Sequence, residues 1–334
     1  MTPTPAIDVH AHYFPDAYLR VIEEAGAAFG AVLDRSHPAG PAIRLGGAPA
    51  PVLEARFRDL GPRLASMNRQ GVGVQALSLT VPMVYWASGE VGARLSQVFN
   101  DAASQAHVAH PDRFVSCAML PLQEPALALA ELARAARLPG TRAVYMGTNV
   151  NGRELSDPAL FPVFERCQAL GLPVLLHPVS VVGAARLRPY YLSNLLGNPF
   201  DTAIAAAHLV FGGVLDRLPR LHVGLPHAGG AFPYLVGRLR RGQQVRSEIS
   251  GAARRPVSAY LRRFSYDTIS HDPAALRHLI AIVGVDRVML GSDFCFDMGY
   301  ERPRAIVVGK ALGLGRRDQE RILRGNAARL LGIQ

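Results

Sequence analysis

The stretch Asp8-Val9-His10-Ala11-His12 decides the fold, because it places two histidines at the end of an apolar, β-branched run. Three later runs end in the same manner, at Leu176-His177-Pro178, at Pro226-His227-Ala228-Gly229-Gly230 and at Gly291-Ser292-Asp293. The pattern predicts that imidazoles and a carboxylate far apart in sequence are delivered to the ends of strands. Barrel enzymes assemble metal sites in this way.

Strand-like runs alternate with helical patterns along the whole chain. The strand-like runs are 7–12, 74–79, 114–120, 142–147, 174–177, 222–226, 264–269 and 288–291. The helical patterns include 91–109, 125–138, 158–170, 202–218, 231–241 and 273–283. Alternation predicts a parallel sheet, and eight strands predict an α/β fold closed into a (β/α)8 TIM barrel. We expect one domain over residues 1–334, since such barrels commonly run to roughly 250 residues or somewhat more.

One segment, from Asp34 to Val52, breaks this rhythm with a high content of proline and glycine. It predicts a small insertion after the first strand, at about residues 30–55. Loops of this length on a compact domain often form lids or substrate walls. A solvated surface excursion is equally compatible with the length of the segment.

The charge of the chain is strongly basic, with a formal net charge of +10. Lys310 is the only lysine, so the excess is almost entirely arginine. The arginines are spread along the chain in short clusters, and no nucleic-acid-binding motif accompanies them. We therefore expect no nucleic-acid partner, and some of the arginines to line a pocket for an anionic small molecule.

Cysteine usage and hydropathy predict a cytoplasmic protein without membrane contact. The three cysteines are scattered without a CxxC pair, which argues against a disulfide framework. Residues 1–5 lack the basic patch and apolar run of a secretory signal. The most membrane-like stretch, Leu195 to Leu215, contains Asn198, Pro199 and Asp201 and is interpreted as a buried helix.

The histidines and the aspartate at the strand ends are candidate metal ligands. Alternate side chains of a strand point the same way, so His10 and His12 can chelate one ion together. Each of His177, His227 and Asp293 taken alone is as well explained as a hydrogen-bonded histidine or a helix-capping aspartate. The repetition of the same position at several strand ends favours a metal site for the set.

Several stretches resemble the amidohydrolase superfamily, and specifically its decarboxylase branch. They are 8–12 (DVHAH), 74–78 (VQALS), 85–87 (YWA), 227–233 (HAGGAFP) and 291–296 (GSDFCF). The resemblance runs over nearly the whole chain. It implies a metal-dependent, non-oxidative decarboxylase, a carboxy-lyase acting on a small anionic aromatic, heteroaromatic or muconate-type carboxylic acid in the catabolism of such compounds.

The resemblance also implies the roles of the strand-end residues. His10, His12, His177 and Asp293 would hold one divalent ion, zinc with manganese as the alternative. His227 would sit beside that ion as the general base and acid. Many amidohydrolases bridge two metals with a carboxylated lysine on the fourth strand, and this chain has no lysine there. A single-metal centre is therefore the consistent expectation.

Substrate contacts follow from the same resemblance. Arg238 matches an arginine that reaches into the neighbouring subunit to clamp a carboxylate, which implies a homodimer or higher homo-oligomer. Arg44 is the nearest match to an arginine on the insertion, although its flanking residues differ and a solvated surface arginine is the alternative. Tyr191 stands where a decarboxylase of this branch has a tryptophan, which implies a substrate pocket of different shape. Trp86 and Phe296 are expected to stack on a flat substrate, or else to be core aromatics.

Two other functional classes remain compatible with the sequence. A hydrolase or hydratase of the same superfamily would act on a ring-cleavage product by adding water, and a non-catalytic binding protein would retain only the barrel. His227 beside Gly229-Gly230 and the similarity around Tyr85-Trp86 favour the decarboxylase. Release of CO2, compared with incorporation of water into the product, separates the enzyme classes.

Overall fold

The computed structural model describes residues 5–46, 51–249 and 253–333. Eight strands form one sheet whose order follows the chain, and we number them β1 to β8. Their bounds are Ala6–His12, Val72–Ser78, Phe114–Met119, Thr141–Gly147, Val174–His177, Val223–Leu225, Phe264–Asp267 and Val288–Met289. The strand pairs are parallel and helices alternate with the strands, so the predicted (β/α)8 barrel is confirmed.

The helices fall largely where the sequence pattern predicts them. The longer helices are Asp16–Ala25, Leu60–Gln70, Gly89–Ala109, Pro125–Ala135, Phe161–Leu170, Asn198–Phe211, Phe232–Val245 and Pro273–Val283. Shorter helices are Ala55–Arg58, Val214–Arg217, Val257–Tyr260, Pro303–Val308, Arg316–Glu320 and Asn326–Leu331. No helix within the described ranges is long and apolar enough to cross a membrane.

The contacts of the chain divide it into two compact units. The first comprises residues 1–145 and 290–305, and the second comprises 146–289 and 306–334. Strands β1 to β3 lie in the first unit and β5 to β8 in the second, with β4 at the boundary. The organisation of residues 1–334 as a single domain stays a prediction.

In the first unit, strand β1 is buried along its entire length, so its polar residues Asp8, His10 and His12 are buried together with its apolar ones. It pairs with β2 so that Asp8 lies beside Gln75 and His12 beside Ser78. On its other side runs the segment that follows β8. The amide of Asp293 donates to the carbonyl of His10 (2.9 Å), and Ala11 forms a parallel bridge with Phe294.

The region of the expected insertion contains an antiparallel hairpin, formed by residues 31–34 and 42–45. Ala31, Ala42 and Ile43 are buried, so a few apolar side chains give this proline- and glycine-rich segment enough contact to pair. Residues 47–50 lie outside the described ranges. That the segment is an insertion, and that it walls a substrate pocket, stay predictions.

In the second unit, the stretch 195–215 differs from the expected single buried helix. Leu195 and Leu196 are 44% and 42% exposed and belong to the π-helical turn Ser193–Gly197. The α-helix that follows ends at Phe211, and Gly213 adopts a left-handed conformation (φ 69°) before a second short helix. The interpretation as a buried helix was wrong for these leucines because the chain turns at the surface there.

Candidate active site

The four predicted ligands come together in the structure. His10 and His12 lie on β1, His177 is the last residue of β5, and Asp293 follows β8. One ligand atom from each lies within 4.8 Å of the others, and all four side chains are buried. Three imidazole nitrogens and one carboxylate oxygen form a donor set that suits a single divalent metal ion.

The ligand atoms of the first unit converge closely on one another. His10 Nε2 lies 3.1 Å from His12 Nε2, and His12 Nε2 lies 3.1 Å from Asp293 Oδ1. The distance from His10 Nε2 to the same carboxylate oxygen is 3.6 Å. Buried nitrogen lone pairs crowded around a carboxylate in this manner are the arrangement that a bound cation stabilises.

Hydrogen bonds to the far side of the rings fix which nitrogen faces the site. His177 Nδ1 lies 2.7 Å from the carbonyl of Pro178, which can only accept, so Nδ1 carries the proton. Ser78 Oγ donates to the carbonyl of Ala11 (3.3 Å) and is therefore the acceptor for His12 Nδ1 (3.1 Å). Both rings thereby keep the Nε2 lone pair for a metal.

Asp8 supports the candidate ligands through hydrogen bonds that connect β1 to the segment carrying Asp293. Its carboxylate accepts from the hydroxyl of Ser292 (2.5 Å), the amide of Ser292 (3.1 Å) and the amide of His10 (3.1 Å). Burial raises the pKa of Asp8 to about 6. The sequence motif contains Asp8, but its role as a connector depends on a contact across 284 positions.

Arg63 is a second supporting residue, and sequence analysis missed it. Its guanidinium group is fully buried, donates to the carbonyl of His12 and to Gln75 Oε1 (2.9 Å), and lies 5.0 Å from the ring centre of Phe294. The buried positions of its helix are 63, 66, 67 and 70. Three of these four residues are polar, so no apolar stripe in the sequence marked Arg63 as buried.

His227 lies directly after β6, in a tight turn where its φ is 53°. The centre of its ring is 5.5 Å from that of His177, and its side chain is partly exposed. Asp267, the last residue of β7, accepts hydrogen bonds from the amides of His227 (3.0 Å) and Ala228 (2.7 Å). Sequence analysis did not single out Asp267, because it lay inside the predicted strand 264–269 and not at its end.

The predicted aromatic contacts lie in the first unit. Phe296 is half-buried, with its ring centre 5.5 Å from that of His12 and 4.9 Å from that of Phe57. Trp86 is also half-buried, packs 6.4 Å from Phe29 and donates its Nε1 proton to the carbonyl of Met83 (3.1 Å). Phe296 therefore lies beside His12, one of the candidate metal ligands.

The remaining predicted contacts are exposed. Arg44 lies on the hairpin, 56% exposed, and pairs with Asp34 at 2.6 Å. Tyr191 is 54% exposed, and Arg238 lies on the outer surface of the helix Phe232–Val245. Arg56, which sequence analysis did not name, lies 5.7 Å above the ring of Phe294, next to Asp293 in sequence. Contact of Arg44, Tyr191 and Arg238 with substrate stays a prediction.

Comparison with known proteins identifies the family to which this chain belongs. The chain belongs to the amidohydrolase family, whose model matches residues 7–333. The 2-amino-3-carboxymuconate-6-semialdehyde decarboxylase of Dictyostelium discoideum is 34% identical over 331 residues, which cover 98% of this chain and 91% of that protein. The resemblance predicted from the sequence motifs is therefore confirmed.

Solved structures show the same similarity. The 5-carboxyvanillate decarboxylase of Sphingomonas paucimobilis superimposes with a TM-score of 0.85 at 27% identity, covering 99% of this chain and 100% of that chain. The apo form of Metarhizium anisopliae IDCase gives a TM-score of 0.89 at 25% identity, covering 99% and 98%. Both similarities extend over the full length of the barrel.

Proposed function

We propose that this protein is a metal-dependent, non-oxidative decarboxylase of a small anionic aromatic, heteroaromatic or muconate-type carboxylic acid. The observation that carries the proposal is the convergence of His10, His12, His177 and Asp293, with His227 beside His177. The family relatives named as decarboxylases support the reaction class. The reaction makes the protein a carboxy-lyase.

His10, His12, His177 and Asp293 would hold one divalent ion, and we propose zinc. Manganese is the alternative, because histidine and aspartate ligands accept both and supply in the cell often decides. When bound, such an ion supplies Lewis acidity toward an oxygen of the substrate next to the departing carboxylate. The hydrogen bonds from His12 to Ser78 and from His177 to Pro178 would keep both rings ready to bind it.

His227 is the proposed proton donor and acceptor. When the bond between the carboxylate and the adjacent carbon breaks, CO2 leaves and the electron pair stays on that carbon, which then takes up a proton. An imidazole can both deliver and recover such a proton near neutral pH. The partly exposed ring of His227, next to His177, supports this assignment.

Aromatic and basic side chains would orient the substrate. Phe296 beside His12 offers a face on which a flat ring can stack. Arg56 pairs with Glu54 and Glu301 and lies 5.7 Å from the ring centre of Phe294, the residue after Asp293. Arg44 is 56% exposed on the hairpin, so Arg56 is the better candidate for an anionic group in this unit. Arg238 remains the proposed carboxylate clamp from a second subunit.

The proposal includes a homodimer or higher homo-oligomer. Exposed apolar side chains on the helix that carries Arg238, on the helix Asn198–Phe211 that contacts it, and on the segment before that second helix support a contact with a second copy, because soluble monomers rarely expose many together. They are Tyr191, Leu195, Leu196, Phe200, Tyr234 and Leu235. All three cysteines are unpaired, which supports the proposed cytoplasmic location.

The test is decarboxylation by zinc-loaded and manganese-loaded protein. The panel comprises hydroxylated benzoates, hydroxypicolinates and 2-amino-3-carboxymuconate-6-semialdehyde, with CO2 release measured in water labelled with oxygen-18. We expect CO2 from one class of acid and no label in the organic product. Label in the product without CO2 would identify a hydrolase or hydratase instead, and no change in any acid would overturn the proposal.

Two variants separate the roles of the metal ligands and of His227. His12→Asn should lose both the metal and the activity. His227→Asn should keep one metal per chain but lose about 10²- to 10⁴-fold in kcat, the usual contribution of general acid–base catalysis. Equal metal loss in both variants would contradict the assignment of His227.

A further inference from the structure

The turn that carries His227 has an unusual backbone. Four consecutive residues have left-handed φ angles, namely His227 (53°), Ala228 (55°), Gly229 (82°) and Gly230 (56°). Glycine adopts this region freely, whereas a Cβ atom makes it unfavourable for histidine and alanine. The first two residues of the turn therefore need support from outside it.

That support comes from the carboxylate of Asp267. The side chain is 3% exposed, and its Oδ2 accepts from the amide of His227 while its Oδ1 accepts from the amide of Ala228. Oδ1 also accepts from the amide of Ile269 (3.0 Å), which fixes the carboxylate relative to its own strand end. Hydrogen bonds to an ionised carboxylate are about twice as strong as neutral ones.

The two glycines define where the rest of the turn must lie. A Cβ at Gly229 would come within 2.7 Å of the ring of Tyr266, and a Cβ at Gly230 within 2.3 Å of the carbonyl oxygen of Pro199. The turn is thus pressed against its neighbours at one end and held by Asp267 at the other. A relaxation of His227 to a right-handed φ would change the direction of its Cα–Cβ bond and so of its ring.

We propose that Asp267 is a positioning residue, whose carboxylate holds the backbone of His227 and Ala228 in the left-handed conformation and thereby aims the His227 imidazole. The inference rests on the proposed catalytic role of His227. Through its bonds to the amides of His227 and Ala228, Asp267 acts on the reaction by way of the direction of the His227 ring.

The test uses Asp267→Asn together with a rescue at Ala228. The amide of asparagine replaces one acceptor by a donor, so kcat should fall about 10²-fold, the loss that a misplaced catalytic group produces. KM and the metal content should stay near wild type. Adding Ala228→Gly should recover about tenfold of the loss, because glycine holds φ near 55° without help.

The matched control is Ala231→Gly in the same Asp267→Asn background. Ala231 lies three residues further along but has a right-handed φ of −82°, so glycine there relieves nothing. Equal recovery by both glycines would overturn the proposal. If Asp267→Asn does not fold, Asp267→Glu keeps the charge but displaces it, and kcat should fall in the same manner with the same selective rescue.

A second readout is independent of turnover. The imidazole signal of His227 in a nitrogen–proton NMR spectrum, assigned by its loss in His227→Asn, should shift in Asp267→Asn and return with Ala228→Gly. An unshifted signal in folded Asp267→Asn would overturn the clamp. If the wild type releases no CO2 from any acid, the proposed function fails, and this signal still decides whether Asp267 orients the ring.

Discussion

Arg63 is a single buried side chain that supports the strand carrying His10 and His12, two of the candidate metal ligands. It lies on the helix Leu60–Gln70, yet its hydrogen bonds end on the carbonyl of His12 and on Gln75, which in turn donates to Asp8 (3.3 Å). Its burial lowers the pKa of the guanidinium from its usual value without removing the charge. The guanidinium group of Arg63 thus supports the strand that carries two of the four candidate ligands.

Replacement of Arg63 should destabilise the protein. In Arg63→Met the carbonyl of His12 and the side chain of Gln75 lose a charged donor in a buried place, so the free energy of unfolding should fall by about 2–3 kcal/mol. Urea unfolding measures this change. Arg69→Met, at an exposed position of the same helix, is the control and should stay within about 0.5 kcal/mol of wild type. Equal effects of the two substitutions would contradict the role of Arg63.

His222 predicts a pH dependence of stability. Partial desolvation lowers the pKa of this solvent-exposed imidazole from 6.5, and the positive charges of Arg287, Arg263 and Arg329 lower it further. The unfolded chain therefore binds more protons between the lowered pKa and 6.5, so stability should rise with pH across that window and be lost as the pH falls.

Comparison of wild type with His222→Gln isolates this contribution. The difference between their urea midpoints should change with pH below 6.5 and level off above it. His278→Gln, an exposed histidine on the helix Pro273–Val283, controls for the loss of an imidazole. Parallel midpoint curves for wild type and His222→Gln would show that His222 does not cause the dependence.

At the scale of elements, sequence patterns located the strands and the long helices well but their ends less well. The helix 273–283 and the strand 174–177 match the expectation at both ends. Strand β7 ends at Asp267 rather than Ile269, because the carboxylate of Asp267 accepts the amide of Ile269 and turns the chain. Hydropathy alone does not report such side-chain bonds.

Substitution by alanine should change the stability in opposite directions at two glycines of the chain. Gly230 has φ 56° and no room for a Cβ, so Gly230→Ala should lose about 1–3 kcal/mol of stability. Gly237 lies in the middle of the helix Phe232–Val245 with open space around it, so Gly237→Ala should gain about 0.5 kcal/mol. Thermal unfolding of both variants checks the pair, and a stabilised Gly230→Ala would contradict the described turn.

At the scale of the whole molecule, the proposed metal should bind the folded chain far better than the unfolded chain. Removal by a chelator should therefore lower the unfolding temperature, and zinc should restore it. At a free metal concentration of 1,000 times the Kd, binding should raise the free energy of unfolding by about 4 kcal/mol. His12→Asn is the control and should not respond. An unfolding temperature that changes with neither the chelator nor zinc would contradict a metal site formed by these residues.

The proposed shared site predicts complementation between two inactive variants. Arg238→Ala lacks the clamp that it would lend to its partner, and His12→Asn lacks a metal ligand. Mixed dimers would contain one site with an intact ligand set and an intact clamp, so mixing and re-equilibrating the two variants should restore up to about a quarter of the wild-type activity. Activity that stays at the level of the separate variants would argue against a shared site.

The sequence by itself determined the barrel and predicted a metal site at the ends of its strands. Apolar periodicity is local, and a ligand at the end of a predicted strand must lie at the carboxyl edge of a parallel sheet. His10, His12, His177, His227 and Asp293 were therefore identifiable as candidates before any coordinates. The resemblance carried by the flanking motifs then separated His227 from the four candidate ligands and gave the reaction class.

Only the tertiary structure decided which other residues serve the site. Asp8 meets Ser292, Arg63 meets His12 and Asp267 meets His227 through hydrogen bonds between residues far apart in the chain. These contacts depend on strand register and on the packing of distant segments, which the pattern of neighbouring residues does not encode.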